Sequence, residues 1–273
     1  MQYYDNSLFI KQIVEYFYFT FVTSKFHMKT IVGVSFETLG LLFLFIAFGL
    51  FFDSLYFKEF CSYGQSIANT LMLIVFVFLI LKGTKRVKEL MLYALIIGTV
   101  GEFLFSLGFE MYTYRLMNVP VYVPPGHAII YIVTYYFIRK APIQQSKDKI
   151  ELLFKFFIIV YSSVFLLLGK DIFGFVLSLL IIWLLRNKPK ERLFYFTMYI
   201  VVAFLEIIGT SYGCWKWPST AFDCIPFLKS ANPPSGISFF YFGLDLGCLW
   251  LYKQRHLIAW KRMKSIRYSV IEK

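Results

Sequence analysis

Two glutamates lie within long apolar stretches of the sequence, Glu102 in the third stretch and Glu206 in the seventh. An ionised carboxylate inside hydrocarbon is costly unless it faces protein or water, so both side chains are expected to point inward. A hydroxyl residue follows each glutamate by four positions, at Ser106 and Thr210, and shares its helix face. Buried acids of this kind serve proton transfer or ion passage, or they only tie helices together.

Two further titratable residues give the two halves of the chain different chemistry. Asp245 lies in the last apolar stretch, and His127 follows a Pro-Pro-Gly turn at the start of the fourth. Acid–base catalysis requires one group to donate a proton while another accepts it, and unlike groups suit that division. For His127 the alternative is an interfacial histidine bonded to a loop carbonyl. The predicted catalytic residues are Glu102, Glu206, Asp245 and His127.

Aromatic residues are concentrated in the connections after the third and seventh stretches. Most aromatic residues at a membrane interface simply belong to the belt common to membrane proteins. The pairs Pro124-Pro125 and Pro233-Pro234 stiffen these connections, however, and a rigid aromatic rim suits a cover over a cavity. The predicted substrate-binding residues are Tyr112, Tyr114, Arg115, Tyr131, Trp215, Trp217, Tyr241, Ser106 and Thr210.

The composition of the chain is that of a membrane protein. Of its 273 residues, 59% are hydrophobic and 16% are charged, and it contains 33 Phe and 20 Tyr. A soluble helical domain would interrupt its apolar stretches with a polar face, whereas several stretches here continue for turn after turn without a charge. The predicted fold is all-α, a polytopic membrane protein with about eight transmembrane helices.

Eight apolar stretches are the candidates for these helices. The fourth and sixth fall short of the roughly 20 residues that a perpendicular span needs, so we expect them to be tilted or shielded by neighbours. The stretches are 30–52, 67–81, 90–109, 126–138, 152–168, 172–185, 193–212 and 237–252.

The basic residues cluster at alternate connections, which accounts for the net charge of +12 without a nucleic-acid partner. An alternating path puts the clusters at 82–88, 139–149, 186–192 and 253–267 on one side of the membrane. The positive-inside rule assigns that side, and both termini, to the cytoplasm. We therefore predict a multi-pass protein of a bacterial cytoplasmic membrane, with membrane lipids as its partners.

A set of motifs occurs twice in the same order. An intramembrane glutamate is followed by an aromatic-x-aromatic pair, and then by a Pro pair and a glycine that open the next stretch. Each half holds four stretches, and an even number returns the chain to its starting side. The halves are therefore predicted to be parallel repeats with a shared cavity near the outer face. The predicted units are an interfacial segment at 1–29, repeats at 30–140 and 151–253, a linker at 141–150 and a basic cytoplasmic tail at 254–273.

The cysteine and histidine spacing argues against a metal centre. Cys61, Cys214, Cys224 and Cys248 show no CxxC spacing, and three scattered histidines cannot complete a zinc site. No metal and no cofactor are therefore predicted. Cys214 and Cys224 fall in the same outer connection, so a disulfide between them would be compatible with an oxidising compartment.

Residues 102–125 resemble part of a known family. They contain Glu102, then Gly108, then Tyr112-Thr-Tyr114, then Val119-Pro120 before a second proline. This series is similar to that of the carotenoid-biosynthesis membrane family, which includes the acyclic carotenoid 1,2-hydratases, except that Gly108-Phe-Glu110-Met replaces a Gly-x-Pro-Phe-Gly turn. The resemblance implies a multi-pass enzyme that protonates an isoprenoid double bond and lets water capture the cation. It implies Glu102 and Glu206 as acid and base, with aromatic residues around the cation.

Three functions remain open from the sequence. The first is an integral membrane enzyme that performs metal-free acid–base chemistry on a lipid or isoprenoid, a hydrophobic small-molecule substrate. The second is a transporter or channel for protons, cations or a small amine, with a path formed by Glu37, Glu102, Glu206 and Asp245. The third is a membrane scaffold or lipid-binding subunit whose acids are structural.

Overall fold

The structure is a computed structural model that describes residues 29–258 and residue 260. The described chain is mostly helical, with a few short strands. The interfacial segment predicted for 1–29 and the basic tail predicted for 254–273 lie mostly outside the described residues.

Helices follow one another with short connections in the first part of the chain and longer ones after α4 and α9. They are α1 (Leu41–Phe52), α2 (Leu55–Lys58), α3 (Gly64–Lys82), α4 (Lys85–Glu102), α5 (Val123–Phe137), α6 (Ala141–Gln145), α7 (Lys147–Gly169), α8 (Ile172–Leu184), α9 (Arg192–Ser211) and α10 (Tyr241–Arg255). Two π-helical turns extend this framework, Phe36–Gly40 before α1 and Phe103–Gly108 after α4. A 3-10 turn, Ile237–Phe240, leads into α10.

Five helical segments of the described chain are long and apolar enough to cross a membrane, as the composition predicts. They are Lys29–Lys58, Gly64–Lys82, Lys85–Gly108, Lys147–Gly169 and Arg192–Ser211. The fourth and sixth apolar stretches correspond to α5 and α8, which have only 15 and 13 residues. The eighth corresponds to α10, also of 15 residues, because its first turn is 3-10 rather than α-helical.

α9 is the innermost of the long helices. In its most apolar segment 67% of the residues are buried, against 11% in α7. α9 packs against α1, α5 and α7, while α4 packs against α5 and α10. The exposed side chains of α7 include Leu152 and Leu167, so its outer face is apolar, as a lipid-facing helix requires.

Asp53 fixes the connection that follows α1. Its side chain is fully buried and forms an ion pair with Arg115. It also accepts a hydrogen bond from the hydroxyl of Tyr122 at 2.9 Å, just before α5 begins. The end of α1 is therefore tied to the start of α5, and removal of either charge would leave the other buried without its partner.

Asp171 fixes the connection that follows α7. Its carboxylate accepts a hydrogen bond from the backbone N–H of Gly174 at 3.1 Å, and so caps the start of α8. It also accepts hydrogen bonds from the backbone N–H groups of Ala231 at 3.1 Å and Ser235 at 2.7 Å. The start of α8 is thus bound to the segment that leads into α10.

Short strands follow the two glutamate-bearing helices. β1 (Thr113–Tyr114) comes after α4 and pairs antiparallel with β2 (Trp215–Lys216), which comes after α9. β3 (Thr220–Ala221) and β4 (Ile225–Lys229) form a separate hairpin. The pairing of β1 with β2 holds the ends of α4 and α9 close together.

Candidate active-site cavity

A cavity of about 340 Å³ lies between α1, α3, α4, α5, α9 and α10. Its wall is mainly aliphatic and aromatic, and Glu102 and Glu206 both line it. The volume is in the range of small-molecule pockets, roughly 300–1,000 Å³. The structure therefore brings together two carboxyl groups that lie far apart in the sequence.

Glu102 ends the α-helical part of α4 and is 5% exposed. Its Oε2 accepts hydrogen bonds from the hydroxyls of Tyr112 at 2.8 Å and Tyr114 at 2.6 Å. Its Oε1 lies 2.7 Å from Nε2 of His127. Both oxygens are thus engaged by groups that can donate and accept protons. The helix continues as a π-helical turn, a distortion that is frequent at functional sites.

Glu206 lies near the end of α9 and is 9% exposed. Its Oε2 accepts hydrogen bonds from the indole N–H groups of Trp215 at 2.8 Å and Trp217 at 2.9 Å. An indole N–H donates but does not accept, so these partners hold the carboxylate without relaying a proton. Among the described residues, Oε1 of Glu206 forms no hydrogen bond, and Glu206 is one of the residues that line the cavity.

The two carboxylates are held through equivalent connections. The two tyrosines that bind Glu102 follow it by 10 and 12 positions. The two tryptophans that bind Glu206 follow it by 9 and 11 positions. The pairing of β1 with β2 places Tyr114 opposite Trp215. The ring centroids of Tyr112 and Trp217 are 4.6 Å apart. The four rings therefore form one continuous aromatic wall.

The imidazole of His127 is positioned by its surroundings. Its ring lies edge-on to Tyr241, with the centroids 5.2 Å apart. On the other side is Gly98 of α4, where a Cβ atom would lie 3.2 Å from Cδ2 of His127. Because any side chain at Gly98 would crowd the ring, glycine there allows α5 to bring His127 to Glu102.

The tyrosines of the connection between α4 and α5 remain hydrogen-bond donors over a wide pH range. Burial raises the pKa of Tyr112, Tyr114 and Tyr122 well above the ordinary value of 10. A neighbouring carboxylate raises the pKa further, Glu102 for the first two and Asp53 for the third.

Three predicted binding residues make their contacts away from the cavity wall. Ser106 donates a hydrogen bond to the backbone carbonyl of Tyr112 at 3.3 Å, and Thr210 donates to a carbonyl of its own helix at 2.7 Å. Arg115 pairs with Asp53. These three side chains hold helices and connections in place, while Tyr112, Tyr114, Trp215, Trp217 and Tyr241 line the cavity.

Asp245 and Tyr131 lie in the wall of a second cavity. A smaller cavity of about 130 Å³ contains both, with Arg86 and Lys190 also in its wall. The Asp245 carboxylate accepts hydrogen bonds from the hydroxyls of Tyr131 at 3.0 Å and Tyr195 at 2.6 Å. The structure therefore separates Asp245 from the glutamate pair and makes it a connection between α5, α9 and α10.

Two buried aspartates and two cavity-lining glycines carry no role in the sequence-based predictions. Asp53 and Asp171 each follow the first apolar stretch of a predicted repeat, and this recurrence is the signal that identifies them. Gly49 and Gly101 line the cavity, but a glycine facing open space has no signature in the sequence. Only the packing of the helices shows that Gly49 and Gly101 line a cavity.

Cys214 and Cys224 are free thiols in the structure, the first buried and the second exposed. Over the described residues, His, Cys, Asp and Glu form no group of three placed to hold a metal ion.

The chain has no significant match among models of protein families, curated proteins or solved structures. The resemblance of residues 102–125 to the carotenoid-biosynthesis family stays a prediction.

Proposed function

We propose that this chain is an integral membrane enzyme that performs acid–base chemistry on an apolar lipid or isoprenoid substrate. The observation that carries the proposal is the pair of carboxylates, Glu102 and Glu206, in the wall of one otherwise apolar cavity. Charged groups are rare in such surroundings and are retained where they act.

The proposal includes eight spans in two parallel four-helix repeats, with both termini in the cytoplasm. The equivalent spacing of glutamates and aromatic donors supports the repeats. So do the matching positions of Asp53 and Asp171, each bound to the segment before the last helix of its half. An apparent axis between β1 and β2 would then pass beside the cavity.

The unlike partners of the two glutamates support a division of labour. Glu102 and His127 form the acid–base pair, because the carboxylate and the imidazole can exchange a proton over 2.7 Å. Glu206 presents its open Oε1 to the substrate. In the hydration that the family resemblance implies, one carbon of a double bond takes a proton from the Glu102–His127 pair, and the adjacent carbon becomes the cation. Water adds to that cationic carbon and gives up a proton to Glu206, so the acid loses one proton and the base gains one. The aromatic wall stabilises the cationic intermediate.

The acids are poorly arranged for a transport path. Glu37 is exposed on the turn before α1, and Asp245 belongs to the second cavity. A purely structural role does not require Glu206 to line the cavity with one carboxylate oxygen free of hydrogen bonds to the described residues.

The test is conversion of an apolar substrate by purified protein in liposomes supplemented with linear polyprenoids. We expect products heavier by one water, detected by mass spectrometry, and a loss of about 100-fold or more in Glu102→Gln and Glu206→Gln. Glu37→Gln, which removes an exposed acid, is the matched control and should retain turnover. Full activity in both cavity variants at equal folded yield would overturn the proposal.

A further inference from the structure

Part of the wall of the main cavity is also the outer surface of the protein. Leu71 of α3 lines the cavity and is 38% exposed. Val100 lines it from α4, and Leu104 from the π-helical turn that follows, and they are 62% and 45% exposed. A side chain that touches both the cavity and the surroundings marks an opening, and these three side chains belong to α3, α4 and the turn after α4.

The surroundings of this opening are apolar. The neighbouring surface of α3 exposes Ile74 and Phe78, that of α4 exposes Ile96, and the π-helical turn after α4 exposes Phe103. Both helices belong to segments long and apolar enough to cross a membrane. The opening therefore faces the acyl region of a bilayer rather than water.

Gly49 and Gly101 are among the glycines that keep the interior of the cavity wide. A Cβ atom at Gly49 of α1 would meet nothing within 4 Å, and one at Gly101 of α4 would meet only ring carbons of Phe105 at 3.9 Å. Both residues line the cavity. The backbone of these two glycines therefore borders the empty volume of the cavity. Gly98 differs from them, because the ring of His127 occupies the room that its side chain would need.

We infer that the cavity takes a linear hydrocarbon chain, which enters sideways from the lipid between α3 and α4 and lies along Gly49 and Gly101. A lateral opening lets a chain longer than the cavity leave its remainder among the acyl chains. The wall offers mainly apolar contacts, which give affinity in proportion to the area buried. This inference rests on the proposed function in one respect: the hydrocarbon would bring its reacting carbons to Glu102 and Glu206.

The aromatic wall provides an optical probe for the test. Trp215 and Trp217 are buried at the cavity, whereas Trp183, Trp250 and Trp260 are exposed. A background variant with the three exposed tryptophans changed to Phe would restrict the indole fluorescence of the described chain to the cavity. A bromine atom quenches this fluorescence at contact distance. The probes are 1-bromohexadecane, the bulky 1-bromoadamantane and a phospholipid brominated in its acyl chain, each titrated into the full chain in nanodiscs.

We expect strong quenching by the linear bromoalkane and little by bromoadamantane. Gly101→Phe and Gly49→Phe would fill the path from two different helices, and each should weaken the apparent affinity by about tenfold, or about 1.4 kcal/mol. Gly33→Phe is the matched control, because a Cβ there also meets nothing within 4 Å but Gly33 does not line the cavity. Quenching by the brominated phospholipid as well would identify an acyl tail as an occupant; quenching by the free bromoalkane alone would identify a separate hydrocarbon.

Equal quenching by the linear and bulky probes would overturn the inference, as would equal affinity in the Gly101, Gly49 and Gly33 variants. Circular dichroism of each variant establishes that it is folded. The readout needs no turnover, so a protein that is quenched as expected but converts no substrate would contradict the proposed function and leave this inference standing.

Discussion

At the scale of single residues, the two glutamates differ through what their neighbours can do with a proton. Glu102 is bonded to two phenols and an imidazole, all of which both donate and accept. Glu206 is bonded to two indoles, which only donate. The two glutamates therefore differ in their chemistry, and the difference lies in their hydrogen-bond partners rather than in the glutamates themselves.

The buried tyrosines give a pH prediction. Tyr114 has a pKa raised by burial and by Glu102, whereas an unfolded tyrosine titrates near 10. Because the folded pKa lies above the unfolded one, the stabilisation is fully present below about pH 10 and is lost as pH rises through the folded value. We expect the ultraviolet titration of the protein and of Tyr114→Phe to coincide until well above pH 10.

The control is the same comparison in denaturant, where the two titrations should differ by one tyrosine near pH 10. A difference of one tyrosine near pH 10 in the folded protein would show that the phenol of Tyr114 is accessible and would contradict its burial.

At the scale of elements, helix starts and connections are joined by two aspartates. Asp171 caps α8 and also binds the segment before α10. Asp53 joins the end of α1 to the start of α5 through Tyr122. Helices as short as α5 and α8 gain little stability by themselves, so such attachments and tertiary packing hold them in place.

Replacing Asp171 by Ala should lower the free energy of unfolding by about 3 kcal/mol. The variant loses a helix cap, worth about 1 kcal/mol, and leaves the buried N–H of Ser235 without its acceptor, at about 1–3 kcal/mol. Thermal unfolding in detergent, followed by circular dichroism, measures the effect. Glu59→Ala, at an exposed acid of the connection after α1, should change the midpoint little. Equal unfolding midpoints for the Asp171 and Glu59 variants would show that Asp171 does not hold α8 to the segment before α10.

At the scale of the whole molecule, the proposed topology can be tested with a native thiol. Cys224 is exposed in the connection after α9, which the proposed topology places on the side opposite the basic clusters. In a variant whose other cysteines are Ser, an impermeant maleimide should label Cys224 in intact cells. A second variant, Lys188→Cys with Cys224→Ser as well, places the thiol in a basic connection and should react only after permeabilisation. The reverse pattern, or labelling of both in intact cells, would show that the number or direction of spans is wrong.

The sequence by itself determined the class of the protein, the approximate positions of its helices and the two glutamates that meet. Those features follow from local composition, because an apolar stretch has few alternatives to a helix and a carboxylate within it must avoid lipid. Only the tertiary structure decided which residues share a cavity. It placed His127 and Tyr241 beside Glu102, moved Asp245 and Tyr131 to a second cavity, and turned Gly49 and Gly101 towards open space. The reason is physical: these placements depend on how far neighbouring helices approach and rotate, which is set by contacts between residues distant in the chain.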